Sequence, residues 1–365
     1  MPRHFLAPGG AKFPNLIFFY YQYYNKRISV CQQIFRIVYI GGAGVRFIMK
    51  CEKEFRRKCP YLLHFVCRFI IIKLLRGVVM YAIENYQKQE RFHKCYKEIS
   101  RFLRNNADSG FNEHFHWGRL DWMMAHPCLD VEMLPKITVF KDSGGTIVGT
   151  ALFDTEYENG WYVLHSVSDE KLLRQMTAYI NDVDSAPTIK ANLNDIALCK
   201  LLEEMNFKKQ FSEYVLAVNL SHDLSYRLPT GFCINEQNAP IDEWQWRLVI
   251  HRGFDHDGIP QTLSGEAAEA EKHLQTKEYI KTFAIKNGEY AAHCGLWYNG
   301  GETAYIEPVA TVPEYRRKGL GKAVVYEALR RAKNQGAKRA IVISEQDFYQ
   351  NIGMSKSSEV VAFVK

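Results

Sequence analysis

The sequence predicts an α/β (α+β) chain built on a mixed, mostly antiparallel sheet flanked by helices. Three stretches carry that expectation. Residues 305–321 read YIEPVATVPEYRRKGLG, an apolar run, the breaker Pro313 and a basic glycine turn, and a strongly helical segment follows. Residues 279–286 and 290–298 are strand-like and flank Asn287-Gly288, a strong type I′ hairpin signal. Residues 147–153 and 161–167 show the strand pattern again, ahead of a helical stretch at 170–181.

The basic turn is suited to holding an anion. The first turn of a helix has N–H groups without partners and the positive end of the macrodipole. Gly319 and Gly321 let the backbone approach closely, and Arg316, Arg317, Lys318 and Lys322 add charge. The helix expected over 322–335 puts Ala323, Val324, Ala328, Leu329 and Ala332 on one side and stops at Gly336. A solvated basic turn before an ordinary helix is the other reading, because a bare GxG is a weak motif. The dinucleotide pattern GxGxxG is absent, since Val324 stands at its last glycine, and no GxxxxGK[ST] occurs here.

Downstream, residues 340–344 (AIVIS) form a buried-strand pattern and residues 346–354 a short helix ending at a glycine. With these two pieces in order, the chain resembles the GNAT superfamily of acetyl-CoA-dependent N-acetyltransferases. The family's [RQ]xxGx[GA] signature matches Arg316-Arg317-Lys318-Gly319-Leu320-Gly321. Its FYxxxGF element matches Phe348-Tyr349-Gln350-Asn351-Ile352-Gly353-Met354, with Met354 in place of the usual aromatic. The resemblance implies a GNAT fold, covering 230–365 well and 80–225 loosely.

Taken from its beginning, the chain of 365 residues is long enough for two or three domains. Its nine cysteines contain no CxxC pair, which indicates neither a zinc site nor a disulfide framework and fits a reducing, cytoplasmic setting. The net charge of +7 is unevenly spread. Residues 1–79 hold 14 Lys/Arg against Glu52 and Glu54, whereas the remainder balances at −5. The apolar runs of this segment are cut by charge, as by Arg68, Lys73 and Arg76 within 61–79, which argues against a transmembrane helix. No clean apolar core with a cleavage site is present to mark a signal peptide. A basic, aromatic membrane-surface helix and a nucleic-acid-binding arm are two readings of residues 1–79. The preferred one is that translation starts at Met80. Arg76-Gly77 can be encoded by a purine run such as AGGGG, placed as a ribosome-binding site would be.

From Met80 the pattern becomes regular. Residues 84–105 read as one charged amphipathic helix. Strands follow at 137–140 and 147–153 around Asp142-Ser143-Gly144-Gly145, then at 161–167, with a helix at 170–181. That is the order of a half-domain in the resembled family, without the glycine signature after Val167. Leu201-Leu202-Glu203-Glu204-Met205-Asn206-Phe207 can be laid over the 348–354 element. Leu202 then replaces Tyr349, and Asn206, which tolerates a left-handed conformation, replaces Gly353. Residues 80–225 are therefore expected to be a degenerate GNAT-like domain, without phosphate loop or acid, packed against a catalytic domain at 226–365. The plainer alternative is that any α/β segment can end a helix with Asn-Phe.

Pro229-Thr230-Gly231 marks the boundary. A strand at 232–235, an aromatic-rich helix at 241–250 with Trp244 and Trp246, and a helix at 264–276 with Ser264 as N-cap lead into the hairpin. A strand at 304–311 precedes the basic turn. The loop 251–258 holds two His and two Asp, but no three-ligand spacing is enforced, so no metal is expected. In the family this loop often shapes the acceptor pocket. Cys294 reads as a buried structural thiol.

By resemblance, the amides of Arg317, Lys318, Gly319, Leu320, Gly321 and Lys322 would hold the pyrophosphate of acetyl-CoA. Val309, Ala310, Thr311 and Val312 would pair with its pantetheine arm. Tyr349 would protonate the departing thiolate, its other reading being a core aromatic. Glu307, expected to share a strand face with Tyr305 and Val309, is the candidate base, its other reading being a salt bridge to a nearby Arg. The function so implied is transfer of an acetyl group from acetyl-CoA to a primary amine by direct attack in a ternary complex. A non-catalytic protein using the fold to bind CoA or a partner is the alternative. Acidic character after residue 80 mildly favours cationic acceptors, and no nucleic-acid partner is expected.

Overall fold

The computed structural model describes residues 81–86, 91–154 and 160–365, which belong to one unit, Met80–Lys365. The readings of residues 1–79 and of the Met80 start lie outside the described residues.

Two successive runs of elements have the same order. The first is β1 (Ala82–Asn85), α1 (Lys94–Asn105), α2 (Trp117–Ala125), β2 (Thr138–Lys141), β3 (Ile147–Phe153), β4 (Trp161–His165), α3 (Glu170–Val183), β5 (Ile189–Asn192), α4 (Ile196–Glu204) and β6 (Lys208–Asn219). The second is β7 (Phe232–Ile234), α5 (Glu243–Gly253), α6 (Gly265–Glu271), β8 (Tyr279–Lys286), β9 (Glu289–Trp297), β10 (Thr303–Thr311), α7 (Leu320–Asn334), β11 (Arg339–Ile343), α8 (Asp347–Asn351) and β12 (Ser355–Val364).

Local chemistry sets most of these boundaries. Asp169, Asp195 and Asp242 cap α3, α4 and α5 by accepting from amides of the first turn. The β8–β9 hairpin turns at Asn287 (φ 51°) and Gly288 (φ 85°), as the sequence predicted. The helix expected over 84–105 is divided. Ala82–Asn85 instead forms an edge strand on β2, with Glu84 paired to Lys141 at 2.6 Å, and α1 starts only after its His93 cap. Strand pairing overrides the helical spacing there. Ser264 occupies the N-cap position of α6 without a side-chain bond.

All twelve strands among the described residues form one sheet, in the order β1-β2-β3-β4-β5-β12-β6-β11-β10-β9-β8-β7. The two halves mirror each other about the β12–β6 junction, and at that junction they exchange strands. β12, the last strand, pairs with β5 and β6 of the first half, while β6 pairs with β11 and β12 of the second. A division at 225/226 therefore cuts the chain but not the sheet.

The apolar core lies on both faces. One cluster runs from the first half across to Trp246, Phe283, Trp297 and Tyr305 of the second. Another joins the sheet to α7 and α8 through Leu216, Leu296, Val324, Leu329 and Tyr349. Helix α2 of the first half reaches the second at Gly118, where an added Cβ would stand 2.4 Å from Trp297 Cγ. Only glycine permits that approach.

Candidate active site

The site begins where two parallel strands part. β10 and β11 pair from Thr303↔Arg339 to Tyr305↔Ile341. Beyond that, β10 continues along β9 alone, with a register shift between Ile306 and Val309. Glu307 and Pro308 thus oppose the single residue Gly295, a β-bulge that bends the strand away from β11. The bulge carbonyl, Glu307 O, accepts from Trp297 Nε1 at 3.1 Å. Gly295 leaves room for it, since a Cβ there would lie 2.3 Å from Tyr279 Oη and 2.5 Å from Glu307 O. Gly295→Ala should accordingly lower unfolding stability by about 1–3 kcal/mol, as overpacking does. Urea titration would measure this, and an unchanged midpoint would contradict the packing argument.

The bulge corrects one expectation. Glu307 keeps to the face of Tyr305, whose hydroxyl donates to Glu307 Oε2 at 2.8 Å. Val309, however, pairs with Cys294 and packs with the α7 cluster, on the other face. The extra residue has reversed the alternation after Pro308.

Across the parting lies the start of α7. Arg317 (φ 61°) and Gly319 (φ 84°) are both left-handed, and Gly319 caps the helix with no side-chain bond. The first-turn amides of α7 are thus left to a ligand or solvent. At α3, the corresponding helix of the first half, the Asp169 carboxylate accepts from Lys171 N at 2.7 Å and Leu172 N at 3.0 Å. Gly321 sets α7 close to both neighbours, because a Cβ there would stand 3.2 Å from Phe348 Cζ and 3.5 Å from Thr311 Oγ1.

The basic residues of the turn divide by role. Arg316 turns away from the helix start and donates to Thr311 O at 3.0 Å, Gly253 O at 2.9 Å and Asp255 Oδ1 at 2.9 Å. It braces the loop after α5 rather than presenting a loose cation. Lys318 Nζ donates to Glu314 O at 2.9 Å. Arg317 is exposed, and Lys322 lies 4.8 Å over the Tyr326 ring.

Glu307 does make a salt bridge, to a residue from the other half. Arg119 on α2 donates from Nη1 to Glu307 Oε1 at 2.7 Å and grips Asp154 through Nε and Nη2 at 2.8–3.0 Å. Arg119 and Asp154 are both buried. Burial, followed by the Glu307 charge, holds the Tyr305 phenol well above its ordinary pKa. Next to Tyr305, with ring centroids 4.9 Å apart, lies His116, whose Nδ1 accepts from Gly118 N at 3.1 Å.

Tyr349 sits on α8, 7% exposed within the α7–α8 cluster, its ring meeting Phe348 edge-on at 5.0 Å. The α8 element ends as its first-half overlay does. Gly353 (φ 94°) and Asn206 (φ 66°) are both left-handed, and Met354 N→Tyr349 O and Phe207 N→Leu202 O are both 3.0 Å. This is a Schellman-type end in each half.

The structure therefore brings together β10, the basic turn, the start of α7 and α8. Sequence reasoning missed Arg119 and Asp154, which no local motif marks. The one available sign was a charged pair, Arg119 and Asp121, inside the aromatic run 115–122. His251, in the last turn of α5, bonds through Nε2 to Asp257 O of the following loop at 2.9 Å. Among the described residues no cluster of His, Cys, Asp or Glu is arranged to hold a metal, and no helix is long and apolar enough to cross a membrane. Cys294 is fully buried, and burial pushes its thiol up.

A mixed sheet whose parallel strands part before a helix start without a side-chain cap leaves backbone groups at the strand ends that could receive an extended anionic ligand. Residues 243–354 match the acetyltransferase (GNAT) family, so the second half carries a domain of that family. Among solved structures the chain is similar to a tandem GNAT protein from the clavulanic acid biosynthesis pathway. The two are 12% identical with a TM-score of 0.50, over 78% of this chain and 98% of that one. A GCN5-related N-acetyltransferase from Sphaerobacter thermophilus aligns at 14% identity and TM-score 0.47, over 78% of this chain and 95% of that one. No curated protein matches the chain.

Proposed function

We propose that the chain is a cytoplasmic N-acetyltransferase that moves an acetyl group from acetyl-CoA to a primary amine by direct attack within a ternary complex. The observation that carries this reading is the uncapped start of α7, with left-handed Arg317 and Gly319, facing the parting of β10 and β11. Amides of Arg317 to Lys322 would bind the pyrophosphate at no side-chain entropy cost. Val309 to Val312, past the last β10–β11 pair, would supply main-chain partners for the pantetheine amides.

In the transfer, the amine nitrogen forms a bond to the thioester carbon as the carbon–sulfur bond breaks. Glu307, held by Arg119 and Tyr305, takes the proton that the amine loses, directly or through water. The Tyr349 phenol returns a proton to the departing thiolate. Residues 80–225, the degenerate copy in this reading, serve the second half by contributing Arg119 and Asp154 beneath Glu307.

Release of free thiol from acetyl-CoA, followed across a panel of polyamines, aminoglycosides, amino acids and peptides, tests the reading. Turnover with at least one amine is expected. Tyr349→Phe should reduce kcat by about 100-fold or more while acetyl-CoA affinity is retained. Binding of acetyl-CoA without turnover across the panel would favour the non-catalytic alternative.

A further inference from the structure

The first half repeats the parting of strands, with a different outcome. β4 and β5 are parallel and pair only at Trp161↔Ile189 and Tyr162↔Lys190, after which β4 stays with β3 as far as His165. α3 follows β4 as α7 follows β10. The gap so formed is bridged by the chain itself. Asn112, 6% exposed, donates from Nδ2 to His165 O at 2.8 Å and accepts at Oδ1 from His165 N at 3.4 Å. These are the two main-chain bonds that an extended amide-bearing ligand would make to that strand edge. On the opposite wall, Asn192 of β5 donates to Gly110 O at 3.3 Å, and the Phe111 ring stacks on His165 at 4.9 Å. Residues 110–112 therefore span both parted strands.

The anion position is filled as well. The Asp169 carboxylate takes Lys171 N and Leu172 N, amides that a phosphate would otherwise use, and its negative charge would repel one. In the second half the start of α7 has no side-chain cap among the described residues, and at the β10 edge Arg316 Nε donates to the Thr311 carbonyl at 3.0 Å while its other bonds go to Gly253 and Asp255 rather than to β11. The β10–β11 ladder stops at Tyr305↔Ile341, and Gly319 offers no side chain to the start of α7.

We propose that the first half retains a second, homologous ligand crevice that its own residues, Gly110 to Asn112 and Asp169, permanently occupy, so that each chain binds one acetyl-CoA and binds it in the second half. The proposal rests on acetyl-CoA being the ligand of the second-half site. It also gives residues 110–112 a definite task, since they hold the first crevice closed in the way a bound ligand would.

Calorimetric titration of the full chain with acetyl-CoA, paired with hydrogen exchange, tests it. One equivalent per chain is expected, with slowed exchange at amides 309–312 and 317–322 and unchanged exchange at 165–172. The variant Gly319→Glu/Gly321→Glu, which puts bulk and negative charge into the turn, should bind none. Two equivalents, binding that persists in that variant, or slowed exchange at 165–172 would overturn the proposal while leaving acetyl-CoA as the ligand. Absence of binding to the unaltered chain would overturn both readings. The exchange pattern of the unaltered chain decides the matter even if the variant fails to fold.

Discussion

Residues 226–365 expressed without the preceding residues should fail to fold. Every neighbour of β12 in the sheet lies in the first half, and β11 loses β6, its antiparallel partner from Arg339↔Asn219 to Ile343↔Val215. The isolated segment would expose Val360, Val361 and Phe363, all buried in the intact protein, and would lose the covering of Val215, Leu216 and Val218. At about 1.5–3 kcal/mol for each large apolar side chain, the three exposed residues alone cost about 4.5–9 kcal/mol, comparable with the roughly 5–15 kcal/mol that stabilises a typical domain. An unpaired apolar strand is in addition a site for aggregation. Circular dichroism and size-exclusion chromatography would report an unfolded or associated species. Expressed together, 80–225 and 226–365 should recombine one to one, each supplying the other's missing strand. A cooperative, monomeric melt from 226–365 alone would show that the strand exchange is dispensable.

Acid should unfold the protein steeply, beginning below about pH 6.5, where unfolded histidines gain protons. Burial drives four histidines down: His114 and His126 to about 4, His116 and His293 to about 3. His293 illustrates the cause. Its Nε2 accepts from Trp246 Nε1 at 3.2 Å and its Nδ1 faces Thr282 O at 3.2 Å, an arrangement that suits the neutral ring. The folded pKa of each lies below the unfolded value, so the stabilisation is complete above about pH 6.5 and is lost as pH falls toward the folded value. Each group then removes about 1.4 kcal/mol per pH unit. Asp121 acts oppositely, because burial raises its carboxyl to about 6 despite Arg104, and it offsets roughly one histidine of the four between pH 6 and 4. A net slope of about 4 kcal/mol per pH unit would exhaust a typical stability within a few units. Tm measured from pH 7.5 to 4 would show the decline, and His116→Asn, which keeps a helix-capping side chain, should make it shallower. A Tm that holds level down to pH 4.5 would contradict the burial of these rings.

Much of the second half was legible in its residues. Strand, basic turn and helix around Gly319, the Asn287-Gly288 hairpin and the left-handed helix end at Gly353 all appear where expected, as does its first-half counterpart at Asn206. Each depends on backbone preferences within a few residues, and those are written into local sequence. Other features escaped because they are decided between distant segments. The alternation in 208–219 and 355–364 makes strands of them, but it does not say whose edge they join, and the strand exchange follows only when both halves are assembled. The bulge at Glu307-Pro308 depends on Gly295 and Trp297 across the ladder, so the loss of Val309 from the Tyr305 face could not be read along β10 itself. The Arg119–Glu307 pair and the filling of the first crevice by Asn112 likewise join residues far apart in the chain. Local chemistry thus determined which elements form and which helix start is left without a side-chain cap. The tertiary structure alone decided how Asn112 bridges the first parting and which residues of the other half support Glu307, because burial and pairing are properties of the assembled sheet.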